Sequence, residues 1–513
     1  MSETTFDEEF DVVVAGYGFA GAVAAIEAAK AGARVLILEK APDPGGISIC
    51  SQGAVCCTRT PDEAFAYLKA TNGGRIPDDV TRAMATGMAE AEGYLRDLAD
   101  GTGAEITTRP RGGNYPFPHR GTFYYSHVED IPNFDARAFY PHVRGRVGGP
   151  YVFRLLEMRL AELDVTVRCA SPAKRLVYTG AREVRGIVAE TPDGVLRFGA
   201  RNGVVLATGG FEADERMKRE YWEVMPVLSA ANRHNTGDGI RMAQEVGADL
   251  WHMWHFHGAY GFRHPDPEYP YGIRVKRFPD WVPGGAGDPL VGADMVDVPV
   301  AWILINRAGA RFMNEQPPYL QDTGARPFTD MDTVTQQFRN VPCWMILDDA
   351  GRRLYPLGNP AYNDRDVTMD WSADNLREVE MGILKRARSI PELAAEIGVQ
   401  ADRLGATIAR WNAMVEAGGD DEHGRPAGSM VPIATPPFYA GEIWPVVSNT
   451  QGGPVHDAGQ RVIDVHGEPI PRLFAAGEMG SGFGHLYLAG GNLAECLISG
   501  WTAGRAAAGL NPW

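Results

Sequence analysis

Three glycines and a carboxylate near the start of the chain have the types and spacing that bind a dinucleotide. The glycines stand in the order Gly16, Gly18 and Gly21, and Glu39 follows eighteen residues after the last of them. In such a site the first glycine forms a tight turn, the second lets a pyrophosphate approach the backbone, and the third lets a helix pack on a strand. An acid at the position of Glu39 binds ribose hydroxyls, which favours FAD or NAD over NADP.

The surrounding residues predict the elements that must position this site. Residues 11–15 (DVVVA) are β-branched and predict a buried parallel strand before the glycine turn. Residues 22–31 are rich in alanine and predict a helix whose N-terminus faces the phosphates. Residues 33–38 (ARVLIL) predict a second strand that ends at Glu39. Together these features favour a Rossmann-type unit, and a glycine-rich turn of some other α/β fold is the alternative.

Glycine-rich segments farther along the chain offer more surface to a cofactor. Gly45, Gly46 and Ser48 have small side chains and amides that suit a backbone wrapped around a bulky group. Two further strand-like runs, residues 203–211 and 473–478, each end in glycine turns. We therefore expect the cofactor to lie along all of these segments.

Five segments occur in an order that resembles the FAD-binding subunit family of fumarate reductases and 3-ketosteroid dehydrogenases. They are the EK pair at 39–40, GGISICSQGA, VVLATGGF, NTGDG and LFAAGEMGSG. The resemblance covers nearly the whole chain and implies FAD as the cofactor. The cofactor-binding residues that it implies are Gly16, Gly18, Phe19, Ala20, Gly21, Glu39, Lys40, Gly45, Gly46, Ser48, Gly53, Ala173, Thr208, Gly209, Gly210, Asn235, Gly237, Asp238, Gly477, Glu478, Asn492 and Leu493.

The resemblance also implies an α/β fold in which a discontinuous Rossmann-type FAD-binding domain is interrupted by an inserted α+β catalytic domain. We expect the FAD-binding domain to comprise residues 1–275 and 425–513, and the inserted domain residues 276–424. Residues 274–292 are rich in proline, glycine and aromatic residues, which is typical of a connection. Residues 371–417 predict helices, and residues 417–424 predict the loop that returns the chain to the FAD-binding domain.

Tyr319 is the candidate base. It ends the segment RFMNEQPPY, which resembles the RFxNExxxY segment of 3-ketosteroid dehydrogenases, whose tyrosine removes a proton from the steroid. A tyrosine with an ordinary pKa near ~10 is a poor base at neutral pH, so the site must stabilise its phenolate. A tyrosine that merely ends a proline turn is the alternative interpretation.

Tyr487 and Gly491 are the candidate groups for binding a ketone. They lie in GHLYLAGG, which resembles a segment of the Δ1-desaturating enzymes in which a tyrosine hydroxyl and a glycine amide hold the ketone oxygen. Polarising the carbonyl would acidify the adjacent C–H bond, and the β-hydrogen would leave as hydride to the flavin. A tyrosine that stacks on the flavin or fills the core is the alternative.

The family also implies a helper tyrosine beside the base. Tyr115, Tyr124 and Tyr125 lie in a suitable loop, GGNYPFPHRGTFYYSH, and of these we favour Tyr115. This choice follows from position in the chain and not from a motif.

These residues predict an FAD-dependent dehydrogenase that desaturates a 3-ketosteroid or related cyclic ketone next to the carbonyl and passes electrons to an acceptor of unspecified class. One alternative is an ene-reductase of the fumarate-reductase type, which the GGN at 490–492 favours. Fumarate reductases carry an arginine just before GGN for a carboxylate, and this chain has Leu488 and Ala489 there. A second alternative is a flavin-binding protein without catalytic activity.

Composition excludes several other classes of protein. The chain has 513 residues, enough for two domains, and 49 Lys+Arg against 65 Asp+Glu give a formal charge of -16, which disfavours nucleic acid. No apolar run of membrane-spanning length or basic signal segment is present in the sequence, so we expect a cytoplasmic protein.

His252, His255 and His257 alternate with aromatic residues, but we favour the lining of an apolar cavity over a metal site.

Overall fold

The computed structural model describes residues 5–145, 148–276 and 298–513. Its helices are α1 (Phe19–Lys30), α2 (Pro61–Thr71), α3 (Asp78–Ala99), α4 (Ala136–Phe139), α5 (Gly148–Ala161), α6 (Glu215–Tyr221), α7 (Asp238–Glu245), α8 (Leu320–Thr323), α9 (Asp349–Arg352), α10 (Leu376–Glu380), α11 (Ile390–Ile397), α12 (Ala401–Ala417) and α13 (Gly491–Ala508).

The strands follow the same chain order. They are β1 (Glu8–Ala15), β2 (Val35–Leu38), β3 (Val55–Thr58), β4 (Glu105–Pro110), β5 (Phe123–Asp130), β6 (Val143–Arg144), β7 (Val165–Arg168), β8 (Ala173–Tyr178), β9 (Val184–Thr191), β10 (Gly194–Leu206), β11 (Leu228–Ser229), β12 (Leu250–Trp251), β13 (Phe256–Phe262), β14 (Ile273–Val275), β15 (Ile303–Ile305), β16 (Met331–Asp332), β17 (Gln337–Phe338), β18 (Cys343–Asp348), β19 (Gly358–Asn359), β20 (Tyr362–Asn363), β21 (Leu384–Ala387), β22 (Phe438–Thr450), β23 (Gly453–Pro454), β24 (Arg461–Ile463) and β25 (Pro469–Ala475).

The first large sheet has the order β24-β25-β10-β1-β2-β7, and β25, β10, β1, β2 and β7 run parallel. Ala15 lies opposite Leu38 and Leu206, and Leu206 lies opposite Ala475. The carboxyl ends of four strands therefore meet at one edge, where open α/β sheets bind ligands. This parallel sheet confirms the predicted α/β, Rossmann-type fold class.

The central strand β1 is buried on both faces, which explains its continuous run of valines. Val12 and Val14 belong to the core that contains residues of α1, α5 and α13. Val13 points the other way, into the core that contains residues of β13 and β22. The alternation of side chains along a strand thus joins two cores through one element.

The second large sheet is mostly antiparallel, with the order β15-β18-β22-β13-β14-β19 and with β11 and β21 also paired to β22. Helices α11 and α12 cover its outer side, where Leu404 and Trp411 pack with Ile303 and Ile346. Strands β13, β14 and β22 belong to this sheet although they lie outside residues 276–424. The domain boundaries stay a prediction, and residues 277–292 of the predicted connection lie outside the described residues.

The predicted run of helices over 371–417 is interrupted by a strand. Leu384–Ala387 forms β21 and pairs with β22 across Leu384↔Gly441. Pairing with a neighbouring strand is a long-range interaction, so helical periodicity in the local sequence does not reveal it. Among the described residues, every helix is too short or too polar to cross a lipid bilayer.

Candidate active site

A large cavity opens at the carboxyl ends of the parallel strands. Its walls include Gly16 after β1, Glu39 after β2, Thr208 after β10 and Gly477 after β25. The strand register brings these four loops together, although they are separated by up to about 460 residues of sequence.

The three glycines of the first turn have three different environments. Gly16 has φ +104°, and a Cβ there would lie 2.2 Å from the carbonyl oxygen of Ala207. A Cβ on Gly21 would lie 2.0 Å from the carbonyl oxygen of Gly16. A Cβ on Gly18 would meet nothing within 4 Å, and Gly18 lines the cavity as the N-cap of α1. Backbone packing therefore requires glycine at Gly16 and at Gly21. Gly18 instead leaves open space where a phosphate can reach the N–H groups at the start of the helix.

Glu39 and Lys40 are fixed by hydrogen bonds on the cavity wall. The Glu39 carboxylate accepts from the backbone N–H groups of Tyr17 at 2.8 Å and Ala41 at 2.7 Å. Burial raises the pKa of Glu39. Lys40 Nζ donates to Thr236 Oγ1 at 2.6 Å and Asp238 Oδ2 at 2.8 Å, which joins the second strand to α7.

Most of the predicted cofactor residues line the cavity. These are Gly16, Gly18, Phe19, Ala20, Glu39, Lys40, Gly46, Ser48, Ala173, Thr208, Gly209, Asn235, Asp238, Gly477, Glu478, Asn492 and Leu493. The others support the wall by packing, since a Cβ would come within 3.0 Å of another atom at each of Gly21, Gly45, Gly53, Gly210 and Gly237.

The cavity suits a polar, elongated cofactor. Asn492 lines it, and the buried Oδ1 of Asn492 has no hydrogen-bond partner among the described residues. Together with the open space at Gly18, this atom marks positions where a ligand would complete the site. The residues present therefore fit FAD.

Tyr319 and Tyr487 face each other in the same cavity. Their ring centroids are 5.9 Å apart and the planes are nearly parallel, at 26°. His257, on β13, lies beside both of them, with its ring centroid 4.2 Å from that of Tyr487. The Nε2 atom of His257 is 3.2 Å from the Tyr319 hydroxyl. Sequence analysis assigned both tyrosines to the active site, whereas it expected His257 only to line a cavity, with no part in the chemistry.

The Tyr487 hydroxyl is oriented by the first residues of α13. The backbone N–H of Asn492 donates to it at 3.2 Å. The Gly491 amide, which the sequence suggests as a ketone donor, instead donates to the carbonyl oxygen of Leu488 at 2.8 Å. A Cβ on Gly491 would lie 2.3 Å from the Phe483 ring, so packing requires glycine here.

Tyr115 is buried in the core that also contains Tyr319, but it does not line the cavity. Its hydroxyl donates to the Asp322 carboxylate, one turn after Tyr319. Tyr125 is the tyrosine of that loop region that lines the cavity with Tyr319 and Tyr487. Position in the chain did not distinguish Tyr115 from Tyr125. Which of them faces the cavity depends on how β5 pairs with β3 and β4.

Burial governs the acid–base properties of these groups. It raises the pKa of Tyr319 well above its usual value, with smaller contributions from nearby Tyr487 and Tyr125. Burial also lowers the pKa of His257 to about 4, which leaves the imidazole neutral near pH 7. Tyr319 therefore holds its proton in this environment, and it needs a partner to act as a base.

The three histidines of the aromatic segment bond to protein groups. His252 Nε2 is 2.8 Å from the Ser481 carbonyl oxygen, and His255 Nδ1 is 2.8 Å from that of Phe483. In the described ranges, no group of three or more His, Cys, Asp or Glu side chains is placed to hold a metal ion.

A glycine turn at the carboxyl edge of a parallel sheet, with two tyrosines across the cavity, defines a flavoprotein oxidoreductase. The FAD binding domain family matches residues 11–493. The chain belongs to this family, so the predictions of FAD as the cofactor and of an FAD-dependent oxidoreductase are confirmed.

Similar proteins include enzymes that act on ring ketones. The chain is 28% identical to 4-oxocyclohexanecarboxylate 2-dehydrogenase of Sinomonas cyclohexanicum, over 98% of this chain and 93% of the relative. It is 27% identical to 3-oxosteroid 1-dehydrogenase of Mycolicibacterium smegmatis, over 97% and 96% of the two chains. The fold matches the crystal structure of 3-ketosteroid delta1-dehydrogenase from Sterolibacterium denitrificans with a TM-score of 0.79 at 24% identity, over 98% of this chain and 99% of that one.

Proposed function

We propose that the protein introduces a carbon–carbon double bond next to the ketone of a cyclic compound, such as a 3-ketosteroid or a smaller ring ketone. The observation that carries this proposal is the placement of Tyr319 and Tyr487 face to face, 5.9 Å apart, in the cavity of the glycine turn. One hydroxyl can hold a ketone oxygen while the other reaches the hydrogen on the adjacent carbon.

Tyr487 activates the ketone in this scheme. Its hydroxyl accepts from the N–H of Asn492, so its own proton is directed to another acceptor, the ketone oxygen. The oxygen lies near the N-terminus of α13, an 18-residue helix whose dipole stabilises negative charge. Both effects grow as the oxygen becomes enolate-like, and they therefore lower the barrier to proton removal.

Tyr319 removes the α-proton. The ring of Tyr319 is nearly parallel to that of Tyr487, so a flat substrate can contact both hydroxyls at once. Bound FAD supplies the hydride acceptor for the β-hydrogen. The buried side chains around the two tyrosines exclude water and keep the enolate from being reprotonated.

Two observations bear on the substrate. The named substrates of the two relatives, 4-oxocyclohexanecarboxylate and 3-oxosteroids, share a ketone on a six-membered ring. Arg274 of β14 also lines the cavity, where its Nη1 donates to Ser448 Oγ at 3.0 Å. A cation in the cavity wall can bind a carboxylate, so ring ketones that carry a carboxylate should be tested together with neutral steroids.

The fumarate-reductase alternative has less support at the tyrosine end of the cavity. Leu488 and Ala489, which replace the arginine expected there, are buried and apolar. Of the two, Ala489 lines the cavity, and an apolar residue there favours a ketone over a carboxylate.

Anaerobic mixing of the flavoprotein with a panel of 3-ketosteroids, cyclohexanones and 4-oxocyclohexanecarboxylate tests the proposal. We expect at least one ring ketone to bleach the oxidised flavin absorbance and to yield the α,β-unsaturated ketone by mass spectrometry. If every ring ketone leaves the absorbance unchanged while fumarate reoxidises the reduced protein, the ene-reductase function replaces this one. If neither reacts, the flavin-binding protein without catalytic activity is supported.

A further inference from the structure

His257 lies beside the candidate base in the cavity wall. Its Nε2 is 3.2 Å from the Tyr319 hydroxyl, and its Nδ1 is 2.9 Å from Oδ1 of Asn449 on β22. The three side chains are joined by hydrogen bonds along the cavity wall, and both histidine and asparagine are buried.

The hydrogen-bond partners define which nitrogen of His257 carries the proton. The Asn449 amide is oriented by its Nδ2, which donates to the Thr450 carbonyl oxygen at 3.4 Å, so Oδ1 faces the histidine. An amide oxygen only accepts, and Nδ1 of His257 is therefore the protonated nitrogen. The lone pair of Nε2 then faces the Tyr319 hydroxyl and accepts from it.

We propose that His257, oriented by Asn449, takes the phenolic proton of Tyr319 while Tyr319 takes the α-proton of the substrate. This inference rests on the proposed function. The α C–H bond breaks and its proton bonds to the Tyr319 oxygen. The Tyr319 O–H bond breaks and its proton bonds to Nε2 of His257. The electron pair of the C–H bond is delocalised into the enolate, whose oxygen accepts a hydrogen bond from the Tyr487 hydroxyl.

The relay removes the main obstacle to Tyr319 as a base. A buried phenol that must ionise before it reacts is rarely in the active form near pH 7. Transfer to His257 during the reaction avoids a free phenolate. The imidazolium that forms is stabilised by the developing enolate, because the rings of His257 and Tyr487 are only 4.2 Å apart in a site of low dielectric.

Exchange of α-hydrogens with solvent isolates this step from hydride transfer. The probe is a ring ketone without a hydrogen on either β-carbon, incubated in D2O with the FAD-loaded enzyme and followed by NMR. We expect His257→Gln to slow exchange by about 100-fold, because glutamine keeps a polar contact but cannot take a proton. His456→Gln is the matched control, since His456 is equally buried but bonds to backbone oxygens outside the cavity, and we expect it to exchange at the wild-type rate.

A second variant covers the case in which His257→Gln does not fold. Asn449→Asp is isosteric and places a carboxylate on Nδ1–H, which makes the imidazole more basic. The relay requires neutral His257, so the exchange rate decreases at low pH, where His257 becomes protonated. We expect this acid limb of the pH–rate profile to move up by about one pH unit in Asn449→Asp. The other titratable or charged groups that face His257 are the same in the wild-type protein and in Asn449→Asp. They are Tyr319, Asp322, Tyr487, Arg274 and His255.

Three results would overturn the relay. Exchange by folded His257→Gln within twofold of the wild-type rate would do so, as would an acid limb that Asn449→Asp leaves in place. If the wild-type enzyme neither exchanges the probe nor bleaches with any ring ketone, the proposed function itself fails and the relay fails with it. Exchange by the wild-type enzyme without bleaching would retain the relay and overturn only the desaturation.

Discussion

The Nε2 atom of His255 lies 3.2 Å from Oδ1 of Asp322, and their side chains are only 2% and 0% exposed. The other ring nitrogen, Nδ1, is 2.8 Å from the carbonyl oxygen of Phe483. The imidazole of His255 is therefore held between two acceptor groups, the Asp322 carboxyl and the Phe483 carbonyl oxygen. Burial opposes ionisation of Asp322, yet the bond and charge of His255 hold its pKa below the usual range.

Replacing Asp322 by Asn should misplace Tyr487, the tyrosine that we propose binds the ketone. The carboxylate of Asp322 accepts from the backbone N–H of Tyr487 at 2.9 Å and from the Tyr115 hydroxyl. An amide cannot accept from all of these donors. We expect kcat per bound FAD to fall by about 10- to 100-fold, with the FAD content retained.

Glu315→Gln is the control for this variant. Glu315 is paired with Arg311 with exposures of 0% and 1%, but it lies outside the cavity walls. It should lower the unfolding temperature and leave kcat per bound FAD unchanged. Equal losses of kcat per bound FAD in both variants would mean that Asp322 serves only stability.

Tyr319→Phe should abolish proton removal while preserving the shape of the cavity. Loss of the acid–base group predicts a fall in the rate of flavin bleaching of about 100- to 10,000-fold. Stopped-flow absorbance under anaerobic conditions measures this rate. Near wild-type bleaching would show that Tyr319 is only a core residue.

Gly18→Ala and Gly21→Ala form a matched pair at the cofactor turn. A Cβ at Gly21 would collide with the Gly16 carbonyl, so Gly21→Ala should reduce the free energy of unfolding by about 1–3 kcal/mol. A Cβ at Gly18 meets only the open cavity, so Gly18→Ala should fold normally and bind FAD more weakly. Chemical denaturation of the flavin-free protein and FAD titration separate the two effects. Equal FAD affinity in Gly18→Ala and wild type would contradict the placement of the phosphates.

Glu495 should make stability depend on pH. It accepts from Ser481 Oγ at 2.7 Å and from the Gly482 N–H at 2.6 Å, and burial raises its pKa to about 7. From its ordinary pKa of about 4.3 up to about 7, the unfolded chain loses a proton that the folded protein keeps. The free energy of unfolding therefore falls as pH rises through this window. Melting temperatures between pH 5 and 7.5 should fall less steeply for Glu495→Gln, and parallel curves would contradict the assignment.

The cofactor turn could be predicted because the residues that define it lie close together in the sequence. Gly16, Gly21 and Glu39 lie in one strand–helix–strand unit, and each position has a steric or hydrogen-bonding requirement that the residue type reveals. The sequence also indicated the four segments along which the cofactor lies, and they meet at one edge because parallel strands share their carboxyl ends.

The tyrosine end depends on long-range pairing that the local sequence does not encode. His257 meets Asn449 because β13 pairs with β22, whose residues are about 190 positions away. The amide beside the Tyr487 hydroxyl belongs to Asn492 and not to Gly491, because α13 begins at Gly491 and the Gly491 N–H is used in the preceding turn. A shift of one residue at a helix end thus changes which donor faces the ligand.

Helix α1 from the beginning of the chain packs on α13 from its end, so closely that a Cβ on Gly504 would lie 2.3 Å from the Ala24 carbonyl oxygen. The cofactor pocket is therefore completed only after both of these distant helices have been synthesised. At roughly 5–20 residues per second, the ribosome needs about 20–90 seconds after Gly16 to produce Gly477. The first strands are therefore synthesised well before the last of the loops that line the cofactor cavity.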